Sequence, residues 1–214
     1  NEARRCLNRL RFFTISGGDL PEEHLVRLSE FAHRTEIYKT YGQTEAFRAT
    51  VLGPGDFDRK RASVGRSVPG AESFIVDDEG KAVEAGRTGE IVFRGVGAMI
   101  GYLSDPNGTR EKIRPHPLQS RSDHIRHSCV YTGDIGRMDR EGYLYLTGRR
   151  DRMLKIGDQR VYPEEIESEI ALHPRIAEAA VFGVSTRRSG TELCAEVVPR
   201  DGAELSEVAL AQFL

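Results

Sequence analysis

The stretch Tyr41-Gly42-Gln43-Thr44-Glu45-Ala46-Phe47-Arg48 decides how this chain is read. It follows the β-prone run Ile37-Tyr38-Lys39-Thr40, so it predicts a loop leaving the end of a strand. An aromatic ring, a glycine, a hydroxyl and a carboxylate fall close together in it. Such a loop can stack the Tyr41 ring on a base and let Gly42 bring the backbone close. Thr44 can then bond a phosphate oxygen, while Glu45 offers hard oxygen to Mg2+. The same residues also suit an ordinary strand-to-helix turn with Glu45 in the first helical turn. What lies around them decides between the two.

Upstream, residues 10–16 read as a buried strand ending at Gly17-Gly18. Asp19 resembles an N-cap, Pro21 suits a first turn and Glu22 the reciprocal capping position. A helix to about Arg34 follows, with Leu25, Leu28 and Phe31 on one face. Strand, glycine turn, helix, strand is an α/β unit, and ligands bind at the strand ends of such sheets. From about residue 60 the texture turns β-rich. Ser73–Val76, Glu90–Arg94 and Tyr143–Thr147 alternate with the turn clusters Asp77–Gly80 and Asp139–Gly142, which predicts a small β-barrel or strongly twisted sheet. Residues 104–129 read as a polar loop. Past Asp151, Met153–Ile156 and Arg160–Tyr162 flank Gly157-Asp158 as a hairpin. Pro163 opens a helix with Glu164, Glu165 and Glu167 at its positive end and Ile166 and Ile170 inward. Strands at 176–183 and 193–198 and a terminal helix complete a small α+β unit. The expected organisation is therefore residues 1–150 as one domain (1–58 α/β, 59–150 β-rich) and 151–214 as a second, with Arg149-Arg150-Asp151-Arg152 at the junction.

Composition narrows the function classes. With 214 residues, 38% hydrophobic and 30% charged, the chain can bury a real core. A net charge of −2 argues against a broad nucleic-acid or anionic-membrane surface. No apolar run approaches the roughly 20 residues that span a bilayer. Cys6, Cys129 and Cys194 lack metal-like spacing, and nothing at the N-terminus reads as a signal peptide, so a reducing, cytoplasmic setting is expected. His116, His124 and His127 have no supporting Cys or carboxylate spacing for zinc and read as a solvated loop. The chain starts without Met and stops inside an amphipathic helix, so it reads as a piece of something longer.

Four segments then carry the chemistry. They are Ser16-Gly17-Gly18-Asp19, Tyr41-Gly42-Gln43-Thr44-Glu45, Tyr131-Thr132-Gly133-Asp134 and Gly148-Arg149-Arg150-Asp151-Arg152 with Lys155. Each mixes glycine with a polar group, as a site built on close backbone approach requires. Asp134 follows an expected glycine turn, where it can accept from both hydroxyls of a ribose or merely cap the next turn. Arg149 can bridge ribose and phosphate oxygens or form a surface salt bridge.

In this order the segments resemble the second half of the AMP-forming adenylating enzymes: acyl-CoA synthetases, adenylation domains of nonribosomal peptide synthetases, and firefly-type luciferases. Gly65–Gly70, Gly89–Gly95, Met99–Leu103 and Val161–Glu167 fit the same pattern, so the resemblance runs along essentially the whole chain. The run Tyr41–Arg48, with its Thr-Glu-Ala-Phe-Arg, is most similar to acyl-CoA-ligase-like members linked to exopolysaccharide or exosortase loci. The resemblance implies the C-terminal part of a large adenylate-forming domain followed by a mobile small domain. It implies a small carboxylic acid activated by ATP to an acyl-adenylate, then transferred to CoA or to carrier-protein phosphopantetheine. It also implies roles. Gly17, Gly18 and Asp19 would lie against adenine and the acyl pocket, and Tyr41 would stack on adenine, with Gly42 also among the cofactor-binding residues. Thr44 would bond the α-phosphate, Glu45 would hold Mg2+, and Asp134 and Arg149 would bind the ribose. Asp151 would be the hinge, and Lys155 would act from a hairpin that reaches the site in the second conformation. Three departures stand out. The family's Gly/Ser/Thr-rich phosphate loop and its adenylation lysine are not within these residues, so the fragment alone is expected to be inactive. Asp158 also stands where the hairpin usually has glycine. A rival from another class is a non-catalytic partner-binding or split-subunit pseudoenzyme module.

Overall fold

In the computed structural model Tyr41–Arg48 forms the turn of a β-hairpin, where the sequence suggested a loop or the start of a helix. Strand β2 (Glu36–Gln43) runs through Tyr41, Gly42 and Gln43, Thr44-Glu45 make the two-residue connection, and β3 (Ala46–Leu52) returns with Gln43 opposite Ala46. The Val- and Thr-bearing run Ala49-Thr50-Val51-Leu52 supplies the returning strand, a β-favouring signal that the turn-like residues before it obscured. The structure describes residues 2–17, 20, 22–118, 128–186, 190–200, 202 and 205–213. The expected N-cap Asp19 and Pro21, together with Gly18, His124 and His127, lie outside the described residues.

The chain divides into two compact units, Asn1–Leu146 and Thr147–Leu214. The first opens with α1 (Glu2–Leu7), β1 (Phe12–Ile15) and α2 (Glu22–Phe31). β1 pairs parallel with β2 across α2, which is the α/β unit the sequence predicts. β1 is the edge strand of its sheet and half-exposed rather than buried, and Phe31 is 40% exposed, so Leu25 and Ala32 take the buried places on the helix side. Antiparallel β3 and β4 (Arg66–Ser67) complete this sheet in the order β1-β2-β3-β4, with the short α3 (Pro54–Phe57) between them.

The β-rich part contains β5 (Ala71–Val76), β6 (Thr88–Gly95), α4 (Pro106–Lys112), β7 (Ile113–Pro115), β8 (Ser128–Met138) and β9 (Leu144–Arg149). The sheet runs β5-β6-β8-β7, with β9 pairing β8. Residues 104–129, read as a polar loop, hold α4 and β7 among their described positions. The signal for α4 was present, because the Asp105 carboxylate caps it at the Gly108 N–H (2.9 Å) and Pro106 follows directly. His116 packs edge-on against Phe74 instead of standing in solvent. Tyr41, Ala46 and Ala49 from one sheet, Ile91, Phe93 and Leu144 from the other, and Val64 just before β4 share one core. Burying each large apolar side chain there contributes about 1.5–3 kcal/mol.

The second unit follows the expected order: β10 (Leu154–Ile156), β11 (Gln159–Val161), α5 (Pro163–Ala171), β12 (Ile176–Thr186), β13 (Gly190–Pro199) and α6 (Glu207–Phe213). Gly157-Asp158 are the two central residues of the β10–β11 hairpin. Ile170, Ile176 and Val181 form its core, with Ile166 packed against them.

Candidate functional site

The β2–β3 hairpin is irregular, and the irregularity places its tip. Between the pairs Tyr41–Thr50 and Gln43–Ala46 the register shifts, so β3 carries extra residues opposite Gly42. Arg48 takes up the distortion with a left-handed backbone, φ +47°. Gly42 is required here by close approach, since a Cβ would stand 2.6 Å from Arg48 N and 2.9 Å from Ala46 O. The tip is also held from outside. Met99 N–H donates to Glu45 O and Phe47 N–H to Gly97 O, both at 2.9 Å, and Ala46 bridges Ala98.

A second bulge lies opposite. The expected glycine turn before Asp134 is instead a mid-strand bulge in β8, where the register shifts between the Glu90–Ile135 and Val92–Tyr131 pairs. Gly133 adopts φ +78°, which a side chain rarely tolerates. The backbone groups freed by the bulge are satisfied by side chains. Gly133 N–H donates to the buried Glu90 carboxylate (3.0 Å), Asp134 N–H to Thr132 Oγ1 (3.1 Å), and Thr132 Oγ1–H to Ile91 O (2.7 Å). Asp134 thus stands in mid-strand, with β8 running on to Met138, where the sequence suggested a turn.

The two bulges bring the predicted residues together. The Tyr41 phenol donates to Asp134 Oδ2 at 2.5 Å, and Gln43 Nε2 donates to Thr132 O at 3.3 Å. Lys112 Nζ reaches the same carbonyl at 3.1 Å, bringing a cation to the bulge. Tyr41 is only 9% exposed, its ring packed into the core and its hydroxyl on the carboxylate. Glu45 accepts from the Tyr102 phenol at 2.5 Å, and that bond, with burial second, pushes the Tyr102 hydroxyl up to about 12. Sequence reasoning assigned no role to Tyr102, Glu90, Thr132 or Lys112. The segment Met99–Leu103 was visible as a motif, but its partner could not be read from spacing. Gly17, two residues past β1, has φ +81°.

The other predicted residues belong to the second unit. Arg149 Nε and Nη2 each donate to Asp151 at 3.2 Å, so the surface-salt-bridge alternative for Arg149 is what the structure holds. Lys155 is exposed on β10, opposite Arg160. Arg152 pairs with Glu167 (2.8 Å) and Glu164 (3.1 Å), and Val181 N–H donates to Glu167 Oε1 (2.9 Å), which ties the residue after Asp151 to α5 and β12.

The donor set also tests what metal the hairpin tip suits. Glu45 gives one carboxylate and Thr44 one hydroxyl. Among the described residues no cluster of three or more His, Cys, Asp or Glu could cage an ion. One carboxylate fits Mg2+ that keeps waters and shares its ligation with substrate phosphates.

Comparisons with known proteins bear on the family and the fold. The family described as AMP-binding enzyme matches residues 1–103, and the AMP-binding enzyme C-terminal domain matches residues 165–214. The indoleacetate–CoA ligase of Aromatoleum aromaticum is 36% identical over 97% of this chain and 38% of its own length. A long-chain-fatty-acid–CoA ligase of Escherichia coli O157:H7 is 33% identical over 92% of this chain and 33% of its own length. The chain thus spans well under half the length of these relatives. Among solved structures, o-succinylbenzoate CoA synthetase from Bacillus subtilis in complex with its acyl-adenylate intermediate superposes with a TM-score of 0.80. It is 27% identical over 95% of this chain and 39% of its own length. The chain belongs to the AMP-forming adenylating enzyme superfamily, with acyl-CoA ligases among its relatives.

Proposed function

We propose that the longer protein is an ATP-dependent acid–thiol ligase of the acyl-CoA synthetase type. A carboxylate oxygen of a small acid bonds to the α-phosphorus of ATP and pyrophosphate leaves. A thiol sulfur then bonds to the acyl carbon and AMP leaves. The thiol is that of CoA, as the named activities of the relatives favour. A carrier-protein phosphopantetheine is the alternative acceptor that the assay below separates. The observation that carries the reading is the meeting of the Tyr41–Glu45 hairpin with the Thr132–Asp134 bulge through the Tyr41–Asp134 and Gln43–Thr132 hydrogen bonds.

In this reading Tyr41, Gly42 and the Gly17-Gly18-Asp19 loop line the adenine and acyl side. Asp134 accepts from the ribose hydroxyls, where one carboxylate matches a vicinal diol. Thr44 donates to the α-phosphate, and Glu45 is the residue that holds Mg2+. When bound, that ion neutralises phosphate charge. The protein's own contribution is fixed polar groups around the reacting phosphate, which need not reorganise during the reaction. Residues 59–150 act as the β-rich subdomain and 151–214 as a small domain turning about Asp151. Arg149 exchanges Asp151 for the ribose, and Lys155 reaches the site in the thioester-forming arrangement.

The test uses the full-length protein with a panel of aliphatic and aromatic acids. Acid-dependent ATP–pyrophosphate exchange, abolished in Asp134→Ala, is the expected result. Thioester assays with CoA and with a phosphopantetheinylated carrier protein then name the acceptor. No exchange with any acid, despite normal folding and AMP binding, would leave the partner-binding pseudoenzyme in its place.

A further inference from the structure

Glu45 sits in a two-residue hairpin turn, where a long carboxylate side chain has several rotamers to choose from. Its backbone is fixed from one side by Met99 N–H on its carbonyl (2.9 Å). Its carboxylate is fixed from the same segment, by the Tyr102 phenol at 2.5 Å, although the two residues are 57 positions apart. Apolar packing anchors that segment only at its start, where Met99 packs against the core, because Ile100 and Leu103 on either side of Tyr102 are 99% and 97% exposed. A polar device holds the rest. Tyr102 N–H donates to Thr109 Oγ1 (2.8 Å), the Thr109 hydroxyl donates to Asp105 O (2.8 Å), and Asp105 caps α4 at Gly108 N–H (2.9 Å). The backbone of Tyr102 is thereby tied to the first turn of a helix and its ring is left to point one hydroxyl at Glu45.

We infer that Tyr102 is a positioning residue for the metal-binding carboxylate: its phenol fixes the Glu45 rotamer so that the carboxylate is already oriented when a divalent cation arrives with the nucleotide. The inference rests on the adenylating reading above. A carboxylate has about four acceptor sites, so one donated O–H leaves it able to ligate a cation. Fixing a rotamer-rich side chain before binding removes an ordering cost from the binding step, which amounts to roughly five- to tenfold in affinity. The Asp105–Thr109 turn supports Tyr102 in the way a second layer of contacts supports any precise site.

The probe is Mn2+ with the α,β-methylene analogue of ATP, added to the full-length protein and followed by electron paramagnetic resonance. Tyr102→Phe removes one O–H and keeps the ring. It is expected to weaken Mn2+ binding about five- to tenfold, with a melting temperature within about 2 °C of the wild type. In a Glu45→Gln background, already weak, the same change is expected to add less than about twofold, because coupled residues are not additive. Tyr102→Phe binding Mn2+ as tightly as the wild type, while Glu45→Gln is weakened, sinks the inference and spares the adenylating reading. Glu45→Gln binding Mn2+ like the wild type sinks the metal assignment itself. Equal Tyr102→Phe losses in both backgrounds, or a melting temperature lowered by many degrees, make the phenol a general structural group and also overturn the inference.

Discussion

Asp139 closes the turn between β8 and β9, and removing its charge is a test of how that turn is held. One carboxylate does four jobs. Oδ1 accepts from Glu141 N–H and Tyr143 N–H, both at 2.9 Å, and Oδ2 accepts from Lys60 Nζ (2.7 Å) and the Tyr145 phenol (3.1 Å). Partial burial alone would raise its pKa. The Lys60 ammonium, the Tyr143 N–H, the Tyr145 hydroxyl and the Glu141 N–H outweigh that and bring it down to about 2. Asp139→Asn keeps the two backbone bonds through its amide oxygen but turns an NH2 toward an ammonium and a phenol. A shift of nearly two units from the ordinary 3.8 corresponds to about 2 kcal/mol at neutral pH. For a chain of this size that lowers the melting temperature by about 4–8 °C. Because the folded carboxyl titrates below its unfolded value, this contribution is fully present above about pH 4 and is lost as pH falls through about 2. Circular-dichroism melts of both proteins should therefore show a constant gap from about pH 7 to 5 that narrows below about pH 4. A gap that is absent at pH 7, or that stays the same down to the lowest pH at which both fold, refutes the reasoning.

Three further outcomes follow from the packing. Gly42→Ala places a methyl against Arg48 N and Ala46 O, and should cost about 1–3 kcal/mol and lower affinity for AMP, read by melts and calorimetry; unchanged AMP binding would detach the hairpin bulge from the site. Cys129 is buried with its thiol pushed up to about 11 by desolvation, whereas Cys6 and Cys194 are exposed, so a thiol reagent at mild pH should label two cysteines quickly and Cys129 only on unfolding. Ile170→Ala should destabilise the second unit by about 2–5 kcal/mol and speed hydrogen exchange in Pro163–Pro199 without changing Phe12–Leu144; uniform acceleration across the chain would show that the two units do not unfold separately.

Much of the fold was legible because its signals are local. The βαβ start shows in a glycine turn after a strand and in Leu25 and Leu28. The second unit shows in Gly157-Asp158, in Pro163 and in the Ile166–Ile170 spacing. The turns at Asp77–Gly80 and Asp139–Gly142 were readable for the same reason, since each Asp accepts from the backbone N–H two residues on. The misses share a different cause. β3 and β8 are strands interrupted by bulges, and a bulge resembles a turn until its partner strand is known. Gly42 and Gly133 are both explained only by what crosses from the neighbouring strand. α4 was missed even though Asp105-Pro106 announces it, because the polarity of residues 104–129 outweighed the cap. For the site, Tyr41, Glu45 and Asp134 stand out in the sequence as residues that could touch a ligand, and the structure joins Tyr41 to Asp134. The phenol that holds Glu45 was not found, because the choice of partner is a tertiary fact.

The two bulges also account for why these carboxylates can be placed precisely at so little cost to the core. A regular β2–β3 ladder would keep every residue paired and leave Thr44-Glu45 as an ordinary solvent-facing turn. Inserting residues into β3 turns the tip toward β8, and inserting them into β8 brings Asp134 out of its ladder toward the tip. Each insertion frees backbone groups that would cost about 1–3 kcal/mol if left buried and unpaired. Glu90, Thr132, Gln43 and the Gly97–Met99 segment take up those groups. Each of the two carboxylates then receives a phenol, Asp134 from Tyr41 and Glu45 from Tyr102. The same arrangement that repairs the sheet thus fixes the groups proposed to face the nucleotide, so damage to Thr132 or Glu90 should weaken nucleotide binding before it unfolds the domain.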